Sequence, residues 1–304
     1  MIKLKCKSGV RGFYRIEAVK PDGTRREIGG WFENLITNGG LDRMGDQSDW
    51  LTFCQVGSGS VDPTFAGSTL TNRVAGTSNS PSTVSGSQAS SPYFTWRRNV
   101  YRFNAGTATG NLSEIGIGWA SSGGLFSWSL IKDTDGSPTT ITIQADEILD
   151  VTYEVRMYPI TTDSTGVLNI AGTDYNYIVR AANVTSNNNT TGWEIAQNGT
   201  SARSVGGGTG ATRTGEGSIG LITGSSGGAV NRDGGSTSAY VAGSYENTAQ
   251  FTWNIGSSNF ATGIGSIRWI HGWGNFQIGF TPKVPKTNTD VFTITVKHTW
   301  ARTA

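Results

Sequence analysis

Residues 111–157 read NLSEIGIGWASSGGLFSWSLIKDTDGSPTTITIQADEILDVTYEVRM. Three rows of apolar residues alternate with small or polar ones: Ile115, Ile117 and Trp119; Phe126, Trp128 and Leu130; Val151, Tyr153, Val155 and Met157. A period of two places each row on one face of a strand, and the Gly-Gly and Asp-Gly-Ser-Pro stretches between rows supply turns. The stretch therefore predicts a meander of half-buried antiparallel strands. In the first row's strand, Glu114, Gly116 and Gly118 take the opposite face, where the glycines let another backbone approach. A looser copy stands near the end of the chain as GSIRWIHGW (265–273), NFQIGFTPKVP (275–285) and DVFTITVKHTW (290–300).

Working outward, residues 12–36 alternate in the same way around Lys20-Pro21-Asp22-Gly23, which predicts a hairpin: proline presets one turn position and glycine accepts positive φ at another. Asn38 is a candidate cap for a short helix holding Leu41 and Met44 and ended by Gly45. Residues 51–56 (LTFCQV) read as a strand. Residues 57–92 are rich in Ser, Gly, Thr and Asn and predict a long surface loop with a short edge strand near 69–74. A further strand starts at Tyr93-Phe94-Thr95-Trp96 and continues to Phe103.

Past 160–167, which reads as a linker, the grammar repeats. Phe251-Thr252-Trp253 repeats Phe94-Thr95-Trp96 letter for letter, and the three late strands follow the three of 111–157 in order and phase. The expected fold is all-β: two tandem antiparallel β-sandwich domains, 1–160 and 168–304, with long Gly/Ser-rich loops at 57–92 and 198–248. The alternative is one large sandwich without duplication.

The totals agree with that class. The chain has 304 residues, 15% charged and 36% hydrophobic, with 43 Gly and 10 Trp, which suits short strands joined by many turns. A net charge of +2 gives no broad field for nucleic acid or anionic lipid. Cys6 and Cys54 make no disulfide framework and are expected to be reduced and packed. The opening MIKLKCKSGV has no apolar segment of a secretory signal, and no run approaches a membrane span. Synthesis in the cytoplasm without membrane insertion is the expectation.

Residues able to carry chemistry are few. His271 and His298 fall on inward rows of neighbouring strands without further metal-ligand residue types in step, so interior hydrogen-bonded imidazoles are expected and no metal or cofactor. Asp133, Asp135 and Gly136 read as a polar hairpin turn, since a calcium loop would need a closing Glu and flanking helices. Glu114 needs a partner among small and apolar neighbours; Arg97, Arg98, Arg102 or Arg156 could supply one, and an ion pair with Arg156 is the candidate. The glycine runs at 206–208 and 224–228 lack the lysine of a phosphate loop. Most tryptophans fall in strands; Trp31, Trp50 and Trp193 lie near turns and are the candidate exposed rings for recognition.

Taken as a block, FENLITNGGLD, FCQVGSGSVDPTFAGSTL and RFNAGTATGNLSEIGIGW through EVRMYP, within residues 30–160, resemble a recurring type of tailed-bacteriophage structural protein described as tail, tail-fibre or minor virion protein. The resemblance implies a non-enzymatic virion component of the tail tip, fibre or fibre-attachment region. Its partners would be other virion proteins and copies of itself, with a host surface glycan as a further candidate and no nucleic acid. A carbohydrate-binding module and a capsid decoration or head-fibre protein are the alternatives.

Overall fold

The computed structural model describes residues 3–188, 190–205 and 211–303. The first half contains β1 (Lys3–Val19), β2 (Arg25–Glu33), β3 (Leu35–Ile36), α1 (Asn38–Asp46), β4 (Phe53–Gly57), β5 (Arg73–Thr77) and β6 (Ser82–Ser87). It continues through β7 (Thr95–Phe103), β8 (Gly110–Leu112), β9 (Glu114–Gly118), β10 (Leu125–Leu130), β11 (Ile141–Ile143) and β12 (Ile148–Pro159). The second half contains β13 (Ser164–Ile170), β14 (Thr173–Ala181), β15 (Arg213–Gly215), β16 (Val230–Asn231) and β17 (Gly234–Thr237). It ends with β18 (Glu246–Trp253), β19 (Ile264–His271), β20 (Gly274–Val284) and β21 (Phe292–Arg302). The fold is all-β, with α1 the one helix among the described residues.

One eight-stranded sheet, ordered β17-β18-β21-β1-β12-β7-β6 with β2 added to β1, runs through both halves. Against it lie a five-stranded sheet, β3-β10-β9-β4-β5, in the first half and a six-stranded sheet, β13-β14-β20-β19-β15-β16, in the second. The same connectivity occurs twice. In each half, a strand of the smaller sheet pairs with its neighbour (β4 with β5; β15 with β16) and with the first strand of a hairpin (β9-β10; β19-β20). A strand earlier than that hairpin (β7; β18) pairs with a later one (β12; β21) in the large sheet, and in the first half the small β8-β11 pair intervenes.

The two halves are joined through the large sheet. β1 is long enough to serve both: Ser8–Val19 runs antiparallel to β12 along one edge, while on the other edge residues 3–10 run parallel to β21 and residues 13–19 pair with β2. The expected linker at 160–167 is held too, since β13 starts at Ser164 and Asp163 forms an ion pair with Arg180 at 2.5 Å. A second fastening comes from residues 193–202, which leave the second half and lie along the first. Thr95, Arg97 and Asn99, alternate residues of β7, donate from their side chains to the carbonyls of Trp193, Ile195 and Gln197. The backbone amide of Leu51 donates to Asn198 and that of Ala202 to Met44. With one sheet and one core spanning both halves, thermal unfolding is expected as a single transition whose calorimetric and van't Hoff enthalpies agree. Two separated transitions would contradict the shared sheet.

The apolar rows largely take the faces that alternation assigns. Val151, Tyr153, Val155 and Met157 are buried, as are Phe292, Ile294, Val296 and His298. The row Phe126-Trp128-Leu130 is broken. A register shift between Leu125 and Ser127 turns the strand over, so Phe126 packs on Trp50 and Tyr153 while Trp128 joins Leu70 and Leu125 in a separate cluster. The repeated Phe-Thr-Trp is not structurally equivalent either. Thr95 pairs with Met157 at the start of β7, whereas Trp253 pairs with Phe292 at the end of β18.

The hairpin turn is as read: Gly23 has φ 84° and donates to Lys20, and Asp22 accepts from Thr24. α1 is capped by Thr37, whose hydroxyl accepts from Gly40, and it runs through Gly45 to Asp46. The segment 57–92 holds two strands, β5 and β6, and 198–248 holds β15, β16 and β17. β5, β6, β16 and β17 end their sheets and β15 lies between β19 and β16, and this pairing supplies backbone partners that a free loop of that composition lacks.

Candidate functional site

The outer face of the large sheet in the first half gathers aromatic and arginine side chains from four strands. Alternation dictates the set: even residues of β7 and β12 and odd residues of β1 point away from the core, bringing Trp96 and Arg98 beside Glu154 and Arg156, and Glu154 beside Phe13. The Arg98 guanidinium lies between two indoles, 5.3 Å from the Trp31 ring and 4.6 Å from that of Trp96. Arg156 lies in the same way between Phe13 at 4.3 Å and Phe94 at 4.6 Å. Glu154 joins the two units, accepting from Nε of both Arg98 and Arg156, and its side chain is only 2% exposed. Arg11 and Glu33 extend the face as an ion pair, and the Tyr158 ring lies 5.2 Å from Phe94.

Burial alone would lower the pKa of Arg156, but the hydrogen bonds and charges of Glu154 and Tyr158 together outweigh it and raise it. The face thus consists of guanidinium planes fixed before any partner arrives, with Trp31 the most exposed ring at 43%. Such a surface loses little side-chain freedom on contact and carries residue types that dominate interface energetics.

Of the predicted recognition residues, only Trp31 is exposed. Trp50 is buried against Phe126, with its Nε1 donating to the Thr200 carbonyl, and Trp193 is buried against Phe276 with its Nε1 donating to Ala182. Neither is a surface ring, because the segment 193–202 folds over one and carries the other inward. The predicted ion pair of Glu114 with Arg156 does not form. Arg156 serves Glu154, while buried Glu114 accepts from the amides of Gly59, Thr71 and Asn72 and from the Thr71 hydroxyl, all at 2.7–3.0 Å. The glycine-rich segment thus satisfies the carboxylate with backbone donors.

His271 and His298 do meet, with ring centroids 5.4 Å apart and both rings fully buried. Nε2 of His271 bonds Asn247 and Nε2 of His298 bonds Ser8, and both Nδ1 atoms are without partners. Burial holds His271 down at a pKa of about 3; burial, then its neighbour's charge, holds His298 well below the ordinary value. Among the described residues no group of three or more His, Cys, Asp or Glu side chains is placed to hold a metal. Asp133 and Asp135 close a polar turn by accepting from the Ser137 amide, and Cys6 and Cys54 are free and buried. The glycine run at 206–208 lies outside the described residues.

A cleft of about 610 Å³ opens where the segment 193–202 passes the end of β19, lined by Ser48, Glu194, Gln197, Thr200, Ser204 and Trp273. No signal in local periodicity marks it, since it forms from loops of both halves. No helix among the described residues is long and apolar enough to cross a membrane. Set against known proteins, the chain matches no family model, no curated protein and no solved structure.

Proposed function

We propose that this chain is a structural, non-enzymatic protein of a tailed-bacteriophage virion, acting in the tail through contacts with other subunits. The observation that carries the contact role is the Trp31–Arg98–Trp96 and Phe13–Arg156–Phe94 pair of sandwiches, locked by Glu154 on an open sheet face. A guanidinium covers one side of each of these rings, which leaves little open aromatic surface for a sugar. The planar edges of Arg98 and Arg156 suit carboxylates and backbone carbonyls of a protein partner. The virion assignment rests on the phrases within residues 30–160, and the body welded through β1 is the rigid scaffold such a role needs.

Immunogold labelling of purified particles tests this reading. Label on the tail is the expected result; particles that lack the chain, with the purified protein an inert monomer, would overturn it. A carbohydrate-binding role is the second reading, favoured by the cleft that Glu194, Gln197 and Thr200 line with polar groups. Glycan-array binding abolished by Glu194→Ala would favour that reading over the first.

A further inference from the structure

The outer face of the six-stranded sheet carries a row of basic residues that is only partly paired. β15 sets Arg213 directly across from Arg268 of β19, β20 sets Gln277 beside Arg268, and β14 sets Arg180 beside Gln277. Arg180 has its counter-ion: both arms of its fork meet Asp163, at 2.5 and 2.7 Å. Arg213 and Arg268 have none among the described residues. The polar side-chain contact of Arg268 is Nη1 with the Ser225 hydroxyl at 3.3 Å, and the Nε atoms of both Arg213 and Arg268 are buried without a partner.

The site is roofed. The segment 220–228 crosses this face, with the amides of Gly220 and Ser226 donating to Gln277 Oε1. Gly228 sits so close on Arg213 that an added Cβ would lie 2.4 Å from the Arg213 Cβ. Two hydroxyls in the same place also lack partners: Ser226 in the roof, 2% exposed, and Ser266, 1% exposed, two residues before Arg268 on the same face of β19. Two facing cations repel, and desolvation adds to the cost of each charge unless an anion neutralises them. Burial, and then the charge of Arg213, lower the pKa of Arg268.

The first half handles the comparable place with the opposite sign. Glu114, on the outer face of β9, brings its own carboxylate to the donors of the segment above it. In the second half the donors are present and the acid is missing.

We propose that Arg213 and Arg268, with the hydroxyls of Ser225, Ser226 and Ser266, form a binding site for a tetrahedral oxyanion, phosphate or sulfate. Two guanidinium forks supply convergent N–H donors and the hydroxyls supply neutral ones, which is the donor set such an anion takes. The site is independent of the aromatic–arginine face and of the virion reading.

The test is titration of the full chain with inorganic phosphate, and separately with sulfate and glycerol phosphate, by calorimetry and thermal shift at fixed ionic strength. The expected result is saturable one-site binding that raises Tm. Arg213→Gln and Arg268→Gln should each weaken binding about tenfold or more, and the double variant should abolish it. In phosphate-free buffer neither single variant should fall in Tm, because each relieves an unneutralised pair. Arg213→Lys/Arg268→Lys keeps the charge without the fork; it guards against a variant that fails to fold and should also bind more weakly. Binding of inorganic ions alone would mark a site for the free ion, and binding of glycerol phosphate as well would mark one for a group borne on a larger molecule. The proposal is overturned if the wild type gives no saturable response at matched ionic strength, or if the double lysine variant binds as the wild type does.

Discussion

Acidification from pH 7 to about 4.5 is expected to strip the protein of much of its stability. The cause is the His271–His298 pair at the junction of β1, β18, β19 and β21. Both imidazoles are buried and neutral, and their folded pKa values lie below the unfolded value near 6.5. Between those limits the unfolded chain binds more protons, so the contribution is complete above about pH 6.5 and is lost as pH falls toward about 3, where His271 finally titrates. Each pH unit costs roughly 1.4 kcal/mol for a histidine that protonates only in the unfolded chain, so His271 alone removes up to roughly 3 kcal/mol over two units and His298 adds to the loss.

The groups facing the pair do not blunt this. They are Ser8, Asn247, the rings of Trp273, Phe276 and Trp300, and Cys6, which pairs with His298 across the β1–β21 ladder and whose thiol burial pushes up. Asp46 and Asp163, held below their ordinary values first by hydrogen bonds from Arg203 and Arg180, contribute a separate loss only at lower pH. Thermal melts across pH 4.5–8 check the expectation. His298→Gln should roughly halve the slope below about 6.5. A melting temperature flat from pH 7 to 5, or a slope unchanged by the substitution, would contradict it.

Replacing Glu114 by Ala is expected to cost at least about 3 kcal/mol, because three backbone amides and a hydroxyl lose one charged acceptor in a buried place. Glu114→Gln should recover little of this, since its amide nitrogen would face donors. The loss is bounded by local opening of 57–72, which also uncovers the Leu70–Leu125–Trp128 cluster. Hydrogen exchange should therefore show lost protection at Gly59, Thr71 and Asn72 alongside the lower Tm. Wild-type protection at those amides in the Ala variant would mean that the carboxylate does not hold the segment.

The contrast between these two sites shows what alternation can and cannot reveal. The inward placement of His271 and His298 follows from period-two patterning within β19 and β21, which needs no knowledge of the rest of the chain. The partners of Glu114 do not, because they are amides of a segment some 42–55 residues earlier that has no periodicity of its own. An arginine was the natural expectation for a carboxylate among apolar neighbours, and backbone donors leave no mark in residue type. Trp50 and Trp193 were misplaced for a related reason. Both lie outside strands, where no alternation applies, and contacts between halves separated by 98–150 residues bury them. Residues 111–157 announced the strands but not the shift at Leu125–Ser127, because one extra residue in a ladder reverses faces without altering composition. Arg156 is no partner of Glu114, because its own acid, Glu154, stands two residues away on the same strand.

The proposed contact role places the contact on the outer face of β1, β2, β7 and β12, and it is tested most directly by particle incorporation of a Trp31→Ala/Arg98→Ala variant. The expected result is a protein with a melting temperature within a few degrees of wild type that is depleted at least about tenfold from purified particles, as loss of a central aromatic–arginine anchor implies. Incorporation at the wild-type level would contradict it and move the contact surface elsewhere on the molecule.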